Sequence, residues 1–177
     1  TDADSLDYHL GYPLEILRNG HYPRYDWYHS WLIGIFDFLN YFGLLIGSKN
    51  LGQMVNFFGL IIIYNNLKFL IQKYQIDNQI LIYIFSTPLL IWFVTSQKPQ
   101  LFPAAIIFTS FILLDIDFKK IFLKYFTIII FISFAFLSKI SFLFSSFFIL
   151  FFLILINFVR NKLKYISIAI FFVLLIT

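Results

Sequence analysis

From Leu51 to its end, the sequence is a succession of apolar segments, each about as long as a helix that crosses a membrane. Crossing the hydrocarbon core takes about 17 to 25 mainly apolar residues, and only helices or closed barrels satisfy their backbone groups there. The apolar runs are continuous and do not alternate, which favours helices. Charged residues make up 12% of the chain, against about a quarter in soluble domains. We therefore predict an all-α, polytopic membrane protein.

The apolar segments divide the chain into two parts. Residues 1–50 are expected to form an outer loop with amphipathic, interfacial helices, and residues 51–177 to form about six transmembrane helices, the last one truncated. The predicted spans are Leu51–Leu70, Gln79–Thr95, Leu101–Phe118, Ile121–Leu137, Ile140–Val159 and the residues from Lys164 onward. Because the chain starts without methionine and stops inside an apolar run, we expect an internal fragment.

Basic residues between the spans indicate the orientation, because short cytoplasmic loops carry excess Lys and Arg. Eight of them fall in or beside alternate connections: Lys68, Lys73, Lys119, Lys120, Lys124, Arg160, Lys162 and Lys164. The other connections hold only Lys98 and Lys139. This pattern places Lys98 and Lys139 on the outer side of a multi-pass protein of the plasma (inner) membrane. It also explains the net charge of +4 without a nucleic-acid partner.

The stretch Trp31–Gly47 is long enough to span, yet it carries Asp37, Asn40 and three glycines. Aromatic residues precede it, and such clusters favour the headgroup level of a membrane. We favour a helix that lies on the surface, which would put the preceding residues outside. A spanning helix, which would put them in the cytoplasm, stays open.

Most residues able to do chemistry precede this stretch. Asp2, Asp4, Asp7, Tyr8 and His9 fall within the first nine positions. On a helix, Asp4 and Asp7 would share a face. Such a carboxylate pair can bind a divalent cation, or can split its pKa values so that one acid acts as a general base. The alternative is an ordinary solvated acidic loop.

The other candidates are weaker. His9, His21 and His29 are too widely spaced for a compact metal motif, and the absence of cysteine excludes thiolate ligands. Lys98 can hold a phosphate as a point charge, or can be a lysine that extends to the interface at a helix end. Arg24 and Arg18 are alternative anion binders.

Three further expectations concern the spans. Pro88 and Pro103 should interrupt the helices beside Lys98, since proline breaks the hydrogen-bond ladder. Asp115 and Asp117 should balance the neighbouring Lys119 and Lys120 at a helix end. Asp37 should face either the site or water.

The first 31 residues, which we call the head, also resemble a known family. The pattern D-S-L-D-Y-H-L, followed by Pro13, the Leu-Glu-Ile-Leu segment and Asn19-Gly20, resembles the first outer loop of bacterial GT-C superfamily glycosyltransferases. These are polytopic proteins distantly like the protein mannosyltransferases and the aminoarabinose transferase. The resemblance covers roughly residues 2 to 31 and is only architectural afterwards.

The resemblance implies a loop with surface-lying helices and transfer of a sugar from a polyprenyl-phosphate donor to a glycan, lipid or protein acceptor on the outer face. It assigns the general base to Asp4, with Asp7 nearby, and the phosphate of the lipid to Lys98 or an arginine. The second acid that usually follows the first is replaced by Ser5. The candidate site is therefore Asp4 and Asp7 as catalytic residues, with Tyr8, His9, Arg24 and Lys98 binding substrate. Tyr8, Tyr12, Trp27 and Tyr28 are candidates for stacking on sugar rings.

Other functions stay open. A lipid or polysaccharide transporter or flippase would mark its path with buried charges, and the spans carry few. A polymerase or ligase would be expected to use several outer arginines, of which only Arg18 and Arg24 are present. A non-catalytic membrane subunit is the remaining alternative.

Overall fold

The computed structural model describes residues 9–21, 34–98, 100–116 and 118–159. Within these ranges the chain is all-helical and contains eight α-helices, which confirms the predicted fold class. The first four are α1 (Gly11–Asn19), α2 (Ile35–Leu45), α3 (Leu51–Tyr74) and α4 (Gln79–Phe85). The others are α5 (Pro88–Thr95), α6 (Leu101–Asp115), α7 (Ile121–Ser138) and α8 (Leu143–Val159), with a 3₁₀ turn at Ile140–Phe142 before α8.

Two of these helices, α3 and α7, are long and apolar enough to cross a membrane. Helices α2 and α6 are apolar but shorter. Many large apolar side chains on α3, α7 and α8 are exposed, among them Phe58 and Phe144. A chain with such a surface is suited to an apolar environment, since soluble monomers rarely expose wide apolar patches.

The predicted span Gln79–Thr95 is two helices instead of one. Helix α4 ends at Phe85, and Thr87 is extended, with ψ of 119°, before Pro88 begins α5. Proline disfavours the helical conformation of the residue before it and suits the first position of a new helix. The expected interruption at Pro88 is therefore observed. Pro103 causes none, because it lies in the first turn of α6, where no helical hydrogen bond needs its nitrogen.

The centre of the fold is the contact of α6 with α3 on one side and α7 on the other. Gly59 of α3 lies directly against the start of α6: a Cβ there would stand 2.6 Å from the backbone of Phe102. Between α7 and α8, the buried side chains Ile128, Ile132, Ile149 and Leu153 form an apolar core. Helix α2 packs on α1, α3 and α7, so it joins the head to the bundle.

Candidate functional site

A buried hydrogen bond between His9 and Asp37 joins the head to α2. The Nδ1 atom of His9 lies 2.6 Å from Oδ1 of Asp37, and both side chains are 2% exposed. The other carboxylate oxygen of Asp37 accepts the backbone N–H of Gly34 at 2.9 Å, at the start of α2. A buried carboxylate needs such partners because desolvation disfavours its charge. Asp37 therefore faces neither water nor an open site. It binds His9, the last residue of the segment that carries Asp2, Asp4 and Asp7 (residues 2–9), which we call the acidic segment.

Asn40, one turn further along α2, links two distant segments through one amide group. Its Nδ2 donates to the backbone oxygen of His9 at 3.1 Å and to that of Gln97 at 3.4 Å. His9 ends the acidic segment, whereas Gln97 directly precedes Lys98. One side chain thus brings the head and the connection between α5 and α6 together.

Asn56 of α3 binds the same connection from the other side. Its Nδ2 donates to the backbone oxygens of Ser96 at 3.1 Å and Lys98 at 2.8 Å. Its Oδ1 accepts the N–H groups of Leu101 at 3.2 Å and Phe102 at 3.5 Å, which open α6. The asparagine is fully buried. It therefore uses both ends of its amide to hold the connection and to cap α6.

Gln97 completes the arrangement. Its Nε2 donates to the backbone oxygen of Lys49 at 2.7 Å, ahead of α3. The side-chain oxygens of Gln97 and Asn40 both lie where a side chain of Gly52 would stand, and a Cβ there would collide with both. A larger residue at this position would therefore displace the amide groups of Asn40 and Gln97. We call Asn40, Asn56 and Gln97, together with the His9–Asp37 pair, the amide junction.

The side chain of Lys98 extends from the amide junction toward α5. Its Nζ lies 5.2 Å from the centre of the Trp92 ring, within the range of a cation–π interaction. Its backbone N–H donates to Oγ of Ser96 at 3.0 Å, and its carbonyl is held by Asn56. The backbone that carries this ammonium group is therefore fixed at both peptide groups.

The structure describes only part of the predicted site. Asp4, Asp7, Tyr8 and Arg24 lie outside the described residues, as do Trp27, Tyr28 and His29. His9 and Lys98 are described, and the amide junction brings their segments together. The His9 ring is buried, so a substrate contact would have to reach an enclosed group. Tyr12 is also buried, at 2% exposure, which leaves its ring no open face for a sugar.

The amide residues of the site were not predicted from the sequence. Asn56 could have been recognised, because a polar side chain in a mainly apolar span is costly unless it has a role. Asp37 and Asn40 are three residues apart on one face of α2. Their partners, 28 to 57 residues away in the chain, leave no periodic pattern. In the described ranges, no three His, Asp or Glu side chains cluster as metal ligands, so a divalent cation stays a prediction for the acidic head.

At the opposite end of α3 and α6, the bonds described for Asp115 go to partners other than the neighbouring lysines that were expected, while Asp117 lies outside the described residues. Asp115 bonds to Lys73 at 2.5 Å and to the hydroxyl of Tyr74 at 2.6 Å, both from α3. Neighbours in sequence were expected, but the packing of α3 on α6 brings these two side chains closer. Lys124, counted among the basic residues in or beside the connections, is 9% exposed and donates to the backbone oxygens of Leu114 and Ile116, each at 2.8 Å.

These features define an all-helical protein with helices apolar enough to cross a membrane and a buried polar junction at one end of them. The chain belongs to the DUF1420 family: the DUF1420 N-terminal domain matches it over residues 1–177. No curated protein and no solved structure matches the chain.

Proposed function

We propose that the chain is part of a GT-C type glycosyltransferase, a multi-pass protein of the inner membrane. It would move a sugar from a polyprenyl-phosphate donor to an acceptor hydroxyl on the outer face. The resemblance of the head supports this class. The contact that carries the proposal is the shared amide of Asn40, which binds the backbone oxygens of both His9 and Gln97.

That contact supports a common site for the acidic segment and Lys98. Asp7 and Tyr8 directly precede His9, and Lys98 directly follows Gln97. A glycosyltransferase of this type needs a base near the acceptor hydroxyl and a cation near the leaving phosphate. Since one amide group binds the ends of both segments, base and cation come from segments that meet.

The length of α2 supports an outer position for the head. Its 11 residues extend about 16 Å at 1.5 Å per residue, whereas the hydrocarbon core is about 30 Å thick. A helix this short suits the membrane surface. The head then lies on the same side as the connection that carries Lys98, which the distribution of basic residues assigns to the outer face.

The proposed reaction is a direct displacement that inverts the anomeric carbon. The acceptor oxygen attacks that carbon, and its proton passes to the carboxylate of Asp4. The bond between the anomeric carbon and the phosphate oxygen breaks, and the phosphate leaves with the electron pair. Lys98 and Arg24 would stabilise its charge. Asp7 would assist Asp4, Tyr8 would contact the sugar, and His9 would hold the acidic segment through Asp37.

The test is sugar transfer from a polyprenyl-phosphate donor by membranes that contain the full-length protein. Asp4→Asn keeps the size of the side chain and removes the base, so transfer should fall at least about 100-fold. Asp2→Asn is the matched control, because Asp2 belongs to the same acidic segment and has no proposed role. Equal expression is verified by immunoblot.

Three results would contradict the proposal in different ways. Transfer that is indifferent to Asp4→Asn and lost with Asp7→Asn would move the base to Asp7. Transfer indifferent to both changes would remove the acidic segment from the chemistry. Absence of transfer by the wild type across several donors would exclude the glycosyltransferase and favour a transporter or a structural subunit.

A further inference from the structure

The side chain of Asn56 binds four backbone groups in and directly after the connection that carries Lys98. It holds the carbonyls of Ser96 and Lys98 and caps the N–H groups of Leu101 and Phe102. Every polar atom of the asparagine is used, and the side chain is fully buried. A group this enclosed cannot itself touch a substrate at the surface, but it can fix the backbone that presents one.

The backbone N–H groups at the start of α6 also bear on how an anion could bind. The free N–H groups of a helix N-terminus normally make a ready anion site. Here those of Leu101 and Phe102 donate to Oδ1 of Asn56, so these two cannot serve a phosphate. The ammonium group of Lys98 is therefore the candidate that remains near this helix start for binding an anion. A lysine is a flexible point charge, so its use depends on how well its backbone is held.

We infer that Asn56 is a positioning residue, which holds Lys98 where it can bind the phosphate of the lipid donor. The identity of that ligand rests on the proposed function, whereas the holding of the Lys98 segment does not. The two ends of the Asn56 amide have different roles. Its Nδ2 fixes the connection, and its Oδ1 caps α6.

Three variants of the full-length protein separate these roles. Asn56→Leu removes both. Asn56→Asp keeps the acceptor for the cap and loses the donor that binds the carbonyls of Ser96 and Lys98. Asn66→Leu is the matched control: Asn66 lies on the same helix and also bonds to α6, through Oγ1 of Thr109 at 2.8 Å. Within the described residues, its side chain makes no hydrogen bond to the connection that carries Lys98.

The first readout is the dissociation constant of an isoprenyl monophosphate for the purified protein. We expect it to rise about tenfold in Asn56→Leu and in Asn56→Asp, as for a lost hydrogen-bond constraint, and to stay unchanged in Asn66→Leu. Normal binding by Asn56→Asp would reduce Asn56 to a helix cap. An equal rise in Asn66→Leu would show general loosening of α3 against α6. Either result would overturn the inference.

The second readout does not depend on a ligand. A nitroxide label on Lys98→Cys reports the mobility of the connection, since residues 1–177 contain no cysteine; cysteines elsewhere in the full-length protein are replaced by serine. We expect a restricted spectrum that becomes mobile with Asn56→Leu and not with Asn66→Leu. An unchanged spectrum in Asn56→Leu overturns the inference. If the wild type binds no isoprenyl phosphate, the proposed function and this ligand fail, while the label still decides whether Asn56 holds the segment.

Discussion

The two ends of the α3–α6 pair are held in different ways. At the amide junction, the buried side chains of Asn40, Asn56 and Gln97 bind backbone groups, and the hydrogen bond between His9 and Asp37 is itself enclosed. At the other end, Asp115 is 55% exposed and is bound by the side chains of Lys73 and Tyr74. Buried bonds to backbone fix the path of the chain, because an unsatisfied partner would be costly. An exposed ion pair contributes little.

Lys124 lies between these cases. It belongs to the Asp115 end, yet it is nearly buried and binds two backbone oxygens at the end of α6. Lysine is rarely buried unless its ammonium group has such acceptors. The two ends therefore differ mainly in burial and in the kind of partner. Buried groups bind the backbone and exposed groups bind side chains, whether the groups are neutral or charged.

The largest effect is expected from Asp37→Ala. The change leaves the His9 ring buried without its carboxylate and removes the acceptor for Gly34. Each buried donor left without its acceptor typically lowers the free energy of unfolding by about 1–3 kcal/mol, and this change leaves two such donors, on His9 and Gly34. Denaturant unfolding of the full-length protein in detergent measures it. Asp115→Ala is the control at the exposed end, and an equal loss in both variants would erase the difference between the ends.

Lys124→Met should have an intermediate effect. Methionine keeps most of the apolar stem, while the backbone oxygens of Leu114 and Ile116 lose their donor. We expect the free energy of unfolding to fall by about 1–3 kcal/mol, the usual cost of buried groups left unsatisfied. Lys120→Met, at an exposed lysine one turn earlier, is the control. If the two variants unfold alike, burial does not set the contribution of a lysine at this end.

The smallest effect is expected from Asp115→Asn. Its bonds to Lys73 and Tyr74 are exposed to solvent, so salt screens the ion pair. The unfolding midpoint should fall slightly at low salt, and the difference from wild type should disappear at high salt. The comparison is made at both salt concentrations with the same detergent. A difference that persists at high salt would mean that this end is held as firmly as the amide junction.

Much of the helix pattern follows from the sequence, whereas the site does not. Helices α3, α6 and α7 begin at Leu51, Leu101 and Ile121, as predicted, because each follows a polar connection. An interruption at Pro88 was expected, but Gln79–Thr95 was still predicted as one span, because hydropathy averages across a proline. The span Leu51–Leu70 was predicted too short, because α3 continues through polar residues to Tyr74. The span Leu101–Phe118 was predicted too long, because apolar residues continue beyond the end of α6 at Asp115.

The candidate site depends on contacts that a single sequence does not encode locally. The acidic segment and Lys98 were predicted as separate features, and the amide of Asn40 that joins them was counted only as a polar residue. Hydrogen bonds between α2, α3 and the connection arise from packing, for which Gly52 and Gly59 provide the close approach. Such contacts are set by three-dimensional neighbours and leave only isolated polar residues as a signal.

The contact between Lys98 and Trp92 has an optical consequence. An ammonium group 5.2 Å from the ring centre perturbs the indole electronically, so the emission of Trp92 depends on where that charge stands. The other two tryptophans, Trp27 and Trp31, precede α2 and can be replaced by phenylalanine. Trp92 on α5 then remains as a fluorophore beside Lys98, and displacement of that ammonium group would report an arriving anion.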